Sequence, residues 1–268
     1  SVTSPILEEV HDPEYVNFLK SISEQSPYFS SEFNEDDPES MMTPYSKGTS
    51  TAALSSISTA LLGVETVLEG HDSFSLTRPP GHHAGYNYSK GICYLNNAAV
   101  AAMKFLREGY SVAILDFDLH HGDGTQKLIE HTPIKFVSLH EDPSEEESFI
   151  KTSGYVKENK SNILNIPLEQ NCGTEKYLEA FTTALDFCSD ADIIIFSAGF
   201  DISPKDRHSR LSLDDSIFRE LGELAARTGQ KKLILLEGGY YDPTAMAEDV
   251  ADFIEPIAKI PFDSNPIK

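Results

Sequence analysis

Residues 111–125 read Ser-Val-Ala-Ile-Leu-Asp-Phe-Asp-Leu-His-His-Gly-Asp-Gly-Thr. Five of the six residues from Val112 to Phe117 are apolar, the pattern of a parallel strand buried on both faces. Within it and directly after it come Asp116, Asp118, His120, His121 and Asp123, with Gly122 and Gly124 permitting a tight turn. Carboxylate oxygen and imidazole nitrogen at this spacing suit a borderline divalent metal, zinc above all. A polar loop that caps a helix at Gly122–Glu130 is the plainer alternative for the same residues.

Outward from this stretch, strands and helices alternate. Asp12-Pro13 reads as a helix start that runs to about Ser21, with Asp as N-cap and Pro at the first helical position. Gln25–Pro44 is polar, acidic and loop-like, and Ser50–Leu68 has helical spacing. Strands are expected over Ser73–Leu76, Val112–Phe117, Ile134–Leu139, Asn162–Ile166, Asp192–Ser197 and Lys232–Leu236. Helices are expected over Tyr94–Glu108, Gly124–Glu130, Gly173–Cys188, Leu213–Thr228 and Pro243–Ile257. Such alternation predicts a parallel sheet with helices on both faces, and ligands gather beyond the carboxyl ends of its strands.

The polar residues test that rule. Pro79-Pro80-Gly81-His82-His83 follows the strand ending near Leu76, and Asp118 and His120 follow Phe117. Gly199-Phe200-Asp201 follows Ser197, and Glu237-Gly238-Gly239-Tyr240 follows Leu236. Four strand ends delivering chemically capable residues beside glycine point to an active site. Asp118 and His120, two apart on an extended segment, can project into one site, and Asp201 can complete a three-ligand set with an open position. Such a metal polarises an amide carbonyl and acidifies water. His82 and His83 are matched to proton transfer near neutrality, with Asp116 and Asp123 the candidates to fix their tautomers. The Tyr240 hydroxyl can donate to a forming oxyanion.

Composition narrows the partners. The formal net charge is −22, which argues against direct nucleic-acid binding, since phosphate recognition needs clustered Lys and Arg. Cationic substrates such as Lys-rich tails or polyamines are attracted instead. Cys93, Cys172 and Cys188 make no CxxC pair and fit a reducing, cytoplasmic setting as buried packing groups. No apolar run is read as approaching the ~20 residues of a membrane span, and no leader segment opens the sequence. With no Gly/Ser- or Pro-rich linker, residues 1–268 read as a single catalytic domain. His11, His71, His131, His140 and His208 read as structural or surface groups.

Taken together, these segments resemble the histone deacetylase family, which includes acetylpolyamine amidohydrolases and acetoin-utilisation-type proteins. The likeness rests on Arg78-Pro79-Pro80-Gly81-His82-His83-Ala84, Gly91-Ile92-Cys93-Tyr94-Leu95-Asn96-Asn97 and Asp116–Gly124. Phe136–His140, Ser197–Asp201, Leu236–Tyr240 and His11-Asp12-Pro13-Glu14-Tyr15 extend it, in the family's order, from about residue 10 to 257. The resemblance implies the three-layer α/β/α arginase–deacetylase fold, with a central, mostly parallel sheet. It implies hydrolysis of an N-acylated amine such as acetyl-lysine in proteins or an acetylated polyamine. It places Zn2+, or Fe2+, on Asp118, His120 and Asp201, and pairs His82 with Asp116 and His83 with Asp123. In family terms His83 is the general base and then acid, His82 is electrostatic, and Tyr240 polarises the carbonyl. A structural K+ is implied near Asp116, Ser138 and the carbonyls of Asp118, His120 and Leu139.

Departures are also visible. The family's opening strand and His-Pro-Glu-Arg segment have no counterpart, so an edge of the sheet is expected to be missing or the start rebuilt. The expected channel residues are Gly91, Ile92, Phe149, Ile150 and Gly239; Ile92 and Ile150 fall where the family places aromatics, with Phe149 as neighbour. An aliphatic channel favours an acyl group other than that of acetyl-lysine. The rim Asp that clamps a peptide falls at Met42 or Thr43, with Glu39 or Asp37 as substitutes if the loop alignment slips; this tilts toward a small-molecule substrate. Two other readings stand beside the hydrolase. One is a catalytically weak binding module that keeps the fold. The other is an arginase-like dinuclear manganese hydrolase, which needs further His and Asp ligands.

Overall fold

The computed structural model describes residues 5–22, 28–29, 43–146 and 148–259. Helices α1 (Pro5–Val10) and α2 (Pro13–Ile22) open it, followed by an antiparallel pair of two-residue strands, β1 (Tyr28–Phe29) and β2 (Pro44–Tyr45). The acidic Gln25–Pro44 loop otherwise lies largely outside the described residues. Asp12 Oδ1 accepts the Glu14 N–H at 2.9 Å, so the cap expected at α2 forms. The short α1 carries no start signal beyond Pro5 and has no counterpart in the sequence reading.

Helix α3 (Thr49–Leu68) is followed by β3 (Ser73–Ser75), α4 (Asn97–Arg107), β4 (Val112–Asp116), α5 (Asp123–Ile129) and β5 (Lys135–Glu141). Then come β6 (Ile163–Leu168), α6 (Thr174–Phe187), β7 (Ile193–Ala198), α7 (Ile217–Ala226), β8 (Lys231–Leu236) and α8 (Pro243–Lys259). Helix α4 begins three residues later than its periodicity predicts. Asn96 Oδ1 accepts the Ala99 N–H at 2.8 Å and fixes the start there, as an N-cap does.

Strands β3 to β8 form one all-parallel sheet in the order β3-β8-β7-β4-β5-β6. No strand pairs beyond β3 among the described residues. The strands read as continuous apolar runs because both faces are covered. Val112, Ile114, Ile193, Ile195, Leu233 and Leu235 face a core with α1 to α4. Their alternates Ala113, Leu115, Ile194, Phe196, Ile234 and Leu236 face a second core with α6 to α8. This is the three-layer α/β/α arrangement.

By length and composition α3 is apolar enough to cross a membrane, which corrects the expectation that no run reaches that length; its interleaved Ser and Thr concealed it. Its Ala53, Ile57, Ala60, Val64 and Val67 form a buried stripe in the first core. That stripe makes it the core helix of a globular layer.

The winding reverses between β4 and β7. From β4 the chain proceeds outward to β5 and β6, then returns to the other side of β4 as β7 and continues to β8. A crevice opens at such a switch point, beyond the carboxyl ends of the two strands. Asp118 follows β4 and Asp201 follows β7.

Candidate active site

Asp118, His120 and Asp201 meet in that crevice, with one donor atom of each within 4.8 Å of the other two. His120 Nδ1 lies 3.1 Å from both Asp118 Oδ1 and Asp201 Oδ2. Asp118 and His120 reach one side by a turn rather than on an extended strand as expected. Strand β4 stops at Asp116, and Asp118 Oδ1 then accepts the His120 N–H at 2.9 Å. Backbone N–H groups hold the remaining oxygens: Gly238 N–H donates to Asp118 Oδ2 at 2.8 Å, and Leu119 N–H to Asp201 Oδ1 at 3.0 Å. A Cβ on Gly238 would lie 2.5 Å from Asp118 Oδ2 and 2.7 Å from Asp201 Oδ2, so only glycine lets this backbone approach. Burial, with Asp118 adding repulsion, pushes Asp201 up to about 6. Two buried carboxylates sharing one site call for a cation between them.

The histidine pair sits beside this cluster. His82 Nδ1–H donates to Asp116 Oδ2 at 3.1 Å, and its Nε2 lies 3.7 Å from Asp118 Oδ1. Burial opposes a charge on His82, but Asp118 and Asp116 outweigh it and push its pKa up to about 10. His83 Nδ1–H donates to Asp123 Oδ1 at 2.8 Å. Burial, reinforced by the neighbouring His82, holds His83 down at about 4, so the two adjacent rings are pushed in opposite directions.

Lys90 is the residue the sequence reading passed over. It is buried, and its Nζ lies 3.1 Å from Asp123 Oδ2. Burial raises the Asp123 pKa, but His83 and Lys90 outweigh it and hold the carboxyl below its usual range. A lysine in a loop ordinarily reads as solvated, and no neighbouring residue type signals otherwise. Glu237 is the second. Its Oε2 accepts the N–H groups of Gly81 at 2.7 Å and His82 at 3.1 Å, and its Oε1 accepts the Ser197 hydroxyl at 3.1 Å. Burial pushes Glu237 up to about 7. It ties the His82 loop to β7 and β8. With His82 and Cys93 it forms a second cluster of donors, fully buried, where burial keeps the Cys93 thiol protonated.

A cavity of about 910 Å³ opens over these groups, lined among others by His82, His83, Asp118, His120, Asp201 and Tyr240. The Tyr240 hydroxyl is buried with no hydrogen-bond partner, and Arg78 stacks on its ring at 4.9 Å. Burial, with Glu237 nearby, keeps that hydroxyl protonated well beyond its ordinary range. Of the expected channel residues, Gly91, Ile92, Phe149 and Gly239 line the cavity. Ile150 does not; it is buried in the core, and Phe149 takes that wall with its ring 5.5 Å from His120. The aliphatic channel is therefore aliphatic on one side only. Lys90 and Cys93 exchange backbone hydrogen bonds around Gly91 and Ile92, whose φ angles are 52° and 60°. Positive φ at both central positions is that of a type I′ turn, and it presents Ile92 at the mouth, 40% exposed. The Ile92 N–H donates to Thr43 Oγ1 at 3.4 Å. Met42, Glu39 and Asp37 lie outside the described residues.

Asp116 and Ser138 are register partners across β4 and β5, with Leu139 next along β5. His11 and His140 are buried within hydrogen-bond networks, His131 is exposed, and His208 lies at the cavity rim. All three cysteines are free and buried.

A histone deacetylase domain matches residues 1–257. The chain belongs to the histone deacetylase family. Within it, the acetylpolyamine amidohydrolase of Mycoplana ramosa is 37% identical over 226 residues, covering 81% of this chain and 65% of that protein. Acetylpolyamine amidohydrolase 2 of Pseudomonas aeruginosa is 37% identical over 207 residues, covering 74% and 60% respectively. The chain thus spans about 60 to 65% of the length of these relatives. The crystal structure of the acetylpolyamine aminohydrolase from Burkholderia pseudomallei superposes with a TM-score of 0.86 at 27% identity. That superposition covers 95% of this chain and 83% of the other. The α/β/α layering described above is the arginase–deacetylase fold of this family.

Proposed function

We propose that the chain is a metal-dependent hydrolase that removes the acyl group from an N-acylated amine. The observation that carries this reading is the cluster of Asp118, His120 and Asp201 in one cavity with the unpartnered Tyr240 hydroxyl. Two carboxylates and one imidazole nitrogen suit a divalent ion such as Zn2+ or Fe2+. When bound, such an ion supplies Lewis acidity toward a carbonyl and toward water.

The chain's own residues supply the rest. Tyr240 donates its O–H to the amide oxygen as negative charge develops there. His83 is neutral at working pH, and its Nδ1–H is committed to Asp123, which leaves Nε2 as the proton acceptor facing the cavity. It takes a proton from the attacking water and returns it to the amine nitrogen as the C–N bond breaks. Water is consumed, and a carboxylate and an ammonium leave, the second proton of the water also ending on the amine nitrogen. His82, hydrogen-bonded to Asp116 and beside Asp118, acts on the cluster through its field. Ile92 and Phe149 wall the stem of the substrate. The same reading assigns a structural K+ to Asp116, Ser138 and the carbonyls of Asp118, His120 and Leu139.

An arginase-like dinuclear site needs more ligands at the cluster. His82 and His83 instead turn Nδ1 to separate carboxylates. A binding-only module is favoured by loss of a donor or of Tyr240, and all are present. The test is metal analysis coupled to turnover of acetyl, propionyl and butyryl amines. We expect one divalent ion per chain, activity lost with a chelator and regained with Zn2+ or Fe2+. Stoichiometric metal with no turnover of any acyl amine favours the binding module, and two ions per chain favour the dinuclear enzyme.

A further inference from the structure

Asp249 is a buried carboxylate on a stretch of helix that is otherwise half-buried or exposed. From Pro243 to Val250, the first half of α8, it alone is buried, at 2% exposure. A carboxylate taken out of water has to be met by donors, and three reach it. Ser203 Oγ–H and Tyr241 Oη–H donate to its Oδ2 at 2.7 and 2.5 Å, and Lys205 Nζ donates to its Oδ1 at 2.7 Å. None of the three donors belongs to α8. Ser203 and Lys205 lie on the loop that leaves Asp201, and Tyr241 follows Tyr240.

Both loops carry a residue of the candidate site, and they meet twice. Near the donor cluster they meet backbone to backbone. Phe200 N–H donates to Gly238 O at 3.0 Å, and a Cβ on Gly239 would lie 2.7 Å from Asp201 N. Farther out they meet on Asp249. Lys205 and Tyr241 line the cavity, and Asp249 stands behind them, outside its lining.

Tyr240 sits between these two meetings. Its hydroxyl has no hydrogen-bond partner among the described residues, so the reacting end of the side chain does not hold itself in place. Arg78 covers one face of the ring at 4.9 Å. The chain before it is Gly238-Gly239, with Gly239 at φ 100°, a backbone that restrains little. The chain after it is Tyr241, whose phenol is tied to Asp249. Fixing Tyr241 fixes the backbone one residue from the Tyr240 ring, and the same carboxylate fixes the loop that presents Asp201.

We propose that Asp249 is a positioning residue: by gathering Tyr241, Ser203 and Lys205 on one carboxylate, it sets the Tyr240 hydroxyl relative to the donor cluster of Asp118, His120 and Asp201. This rests on the hydrolase reading above, in which that hydroxyl donates to the developing oxyanion. A donor of this kind works only at the right distance from the reacting oxygen, so its placement is read in kcat rather than in KM.

The test is a double-mutant cycle on the metal-loaded protein, with the mono-acetyl, mono-propionyl and mono-butyryl amides of 1,4-diaminobutane as probes. Tyr241→Phe deletes the bond to Asp249 and keeps the ring. Asp249→Ala deletes the carboxylate, and Lys205 still has Glu248 Oε2 at 3.9 Å. For each variant we expect kcat to fall by about 10–10²-fold, the scale of a group misplaced by about 1 Å, with KM within about twofold and metal content unchanged. In the Tyr240→Phe background the same substitutions should change kcat by less than about twofold, because the hydroxyl they place is already gone. A merely structural role lowers kcat by the same factor in both backgrounds, and that result overturns the assignment. Native kcat in Tyr241→Phe overturns it too, as does an effect confined to KM, which makes Tyr241 a cavity wall and nothing more. Where Asp249→Ala fails to fold, Tyr241→Phe decides alone. Turnover of none of the probes by the native protein overturns the hydrolase reading itself, and this inference with it.

Discussion

Lys90 Nζ and Asp123 Oδ2 lie 3.1 Å apart in a buried pair, and the other oxygen of that carboxylate is 2.8 Å from His83 Nδ1. A cation behind Asp123 shares the carboxylate's charge, which weakens its pull on the His83 proton and favours the neutral ring. Lys90→Met removes one partner of a buried pair, an event that costs about 3–5 kcal/mol. The protein should unfold at lower denaturant. In the folded fraction the acidic limb of the kcat/KM profile should move to higher pH, because Asp123 then stabilises a protonated His83 more strongly. An unmoved limb would confine Lys90 to a packing role.

Tyr240→Phe keeps the ring and its stacking with Arg78 and deletes a buried hydroxyl that has no hydrogen-bond partner among the described residues. We expect kcat to fall by about 10²–10³, the usual effect of losing an oxyanion donor, with metal content unchanged by elemental analysis. Full activity would remove Tyr240 from the mechanism.

Asp201→Ala leaves His120 Nδ1 and Asp118 as a two-residue remnant. Metal and activity should be lost together in dialysed protein. Retention of one ion per chain would show that the donor set is wrong.

Ile92 is a β-branched residue at φ 60°, a left-handed conformation that disfavours such side chains by about 1–2 kcal/mol. Ile92→Gly should leave stability equal to the native value or up to about 1 kcal/mol above it, since the glycine's unfolded-state entropy offsets part of the relief. KM should rise as one channel wall is lost. A loss of about 2 kcal/mol or more in chemical unfolding would mean that the side chain acts as a core residue.

His11 is locked as the neutral tautomer: Nδ1–H donates to Gly85 O at 2.8 Å and Nε2 accepts the Asn96 N–H at 2.8 Å. Burial holds its pKa at about 4, against 6.5 in an unfolded chain. The unfolded state therefore binds the extra proton first as pH falls. The stabilising contribution is complete above about pH 6.5 and is lost as pH drops toward 4, by about 3 kcal/mol in total. Subtracting the pH–stability curve of His11→Gln from that of the native protein should reveal this slope between pH 6.5 and 4. Parallel curves would show that another group carries the acid sensitivity.

Much of this was legible before any coordinates. Val112–Phe117 and Asp192–Ser197 are long apolar runs with chemical residues at one end, and a sheet buried on both faces makes that pattern hard to produce otherwise. The motif spacing from Asp116 to Asp123 and the four glycine-flanked strand ends then located the crevice. Lys90 was not legible, because its burial follows from a partner 33 residues away rather than from its neighbours. Phe149 and Ile150 differ by one position in a loop without periodicity, and only packing decides which of them faces the cavity. The start of α4 was misjudged because Tyr94 and Leu95 are apolar enough to extend its stripe, while the boundary is set by one Asn96 hydrogen bond.

Leu119 N–H and Asp201 Oδ1 are joined across 82 residues of sequence, at the line where the two halves of the sheet abut. The donor cluster therefore does not exist until β4 and β7 have zipped together, and an ion that binds it binds only the folded chain. Occupancy at about 100 times the dissociation constant adds about 2.7 kcal/mol to global stability. Ion starvation should loosen this seam, and amide exchange along Ile114–Asp116 and Ile195–Ser197 is where it would register.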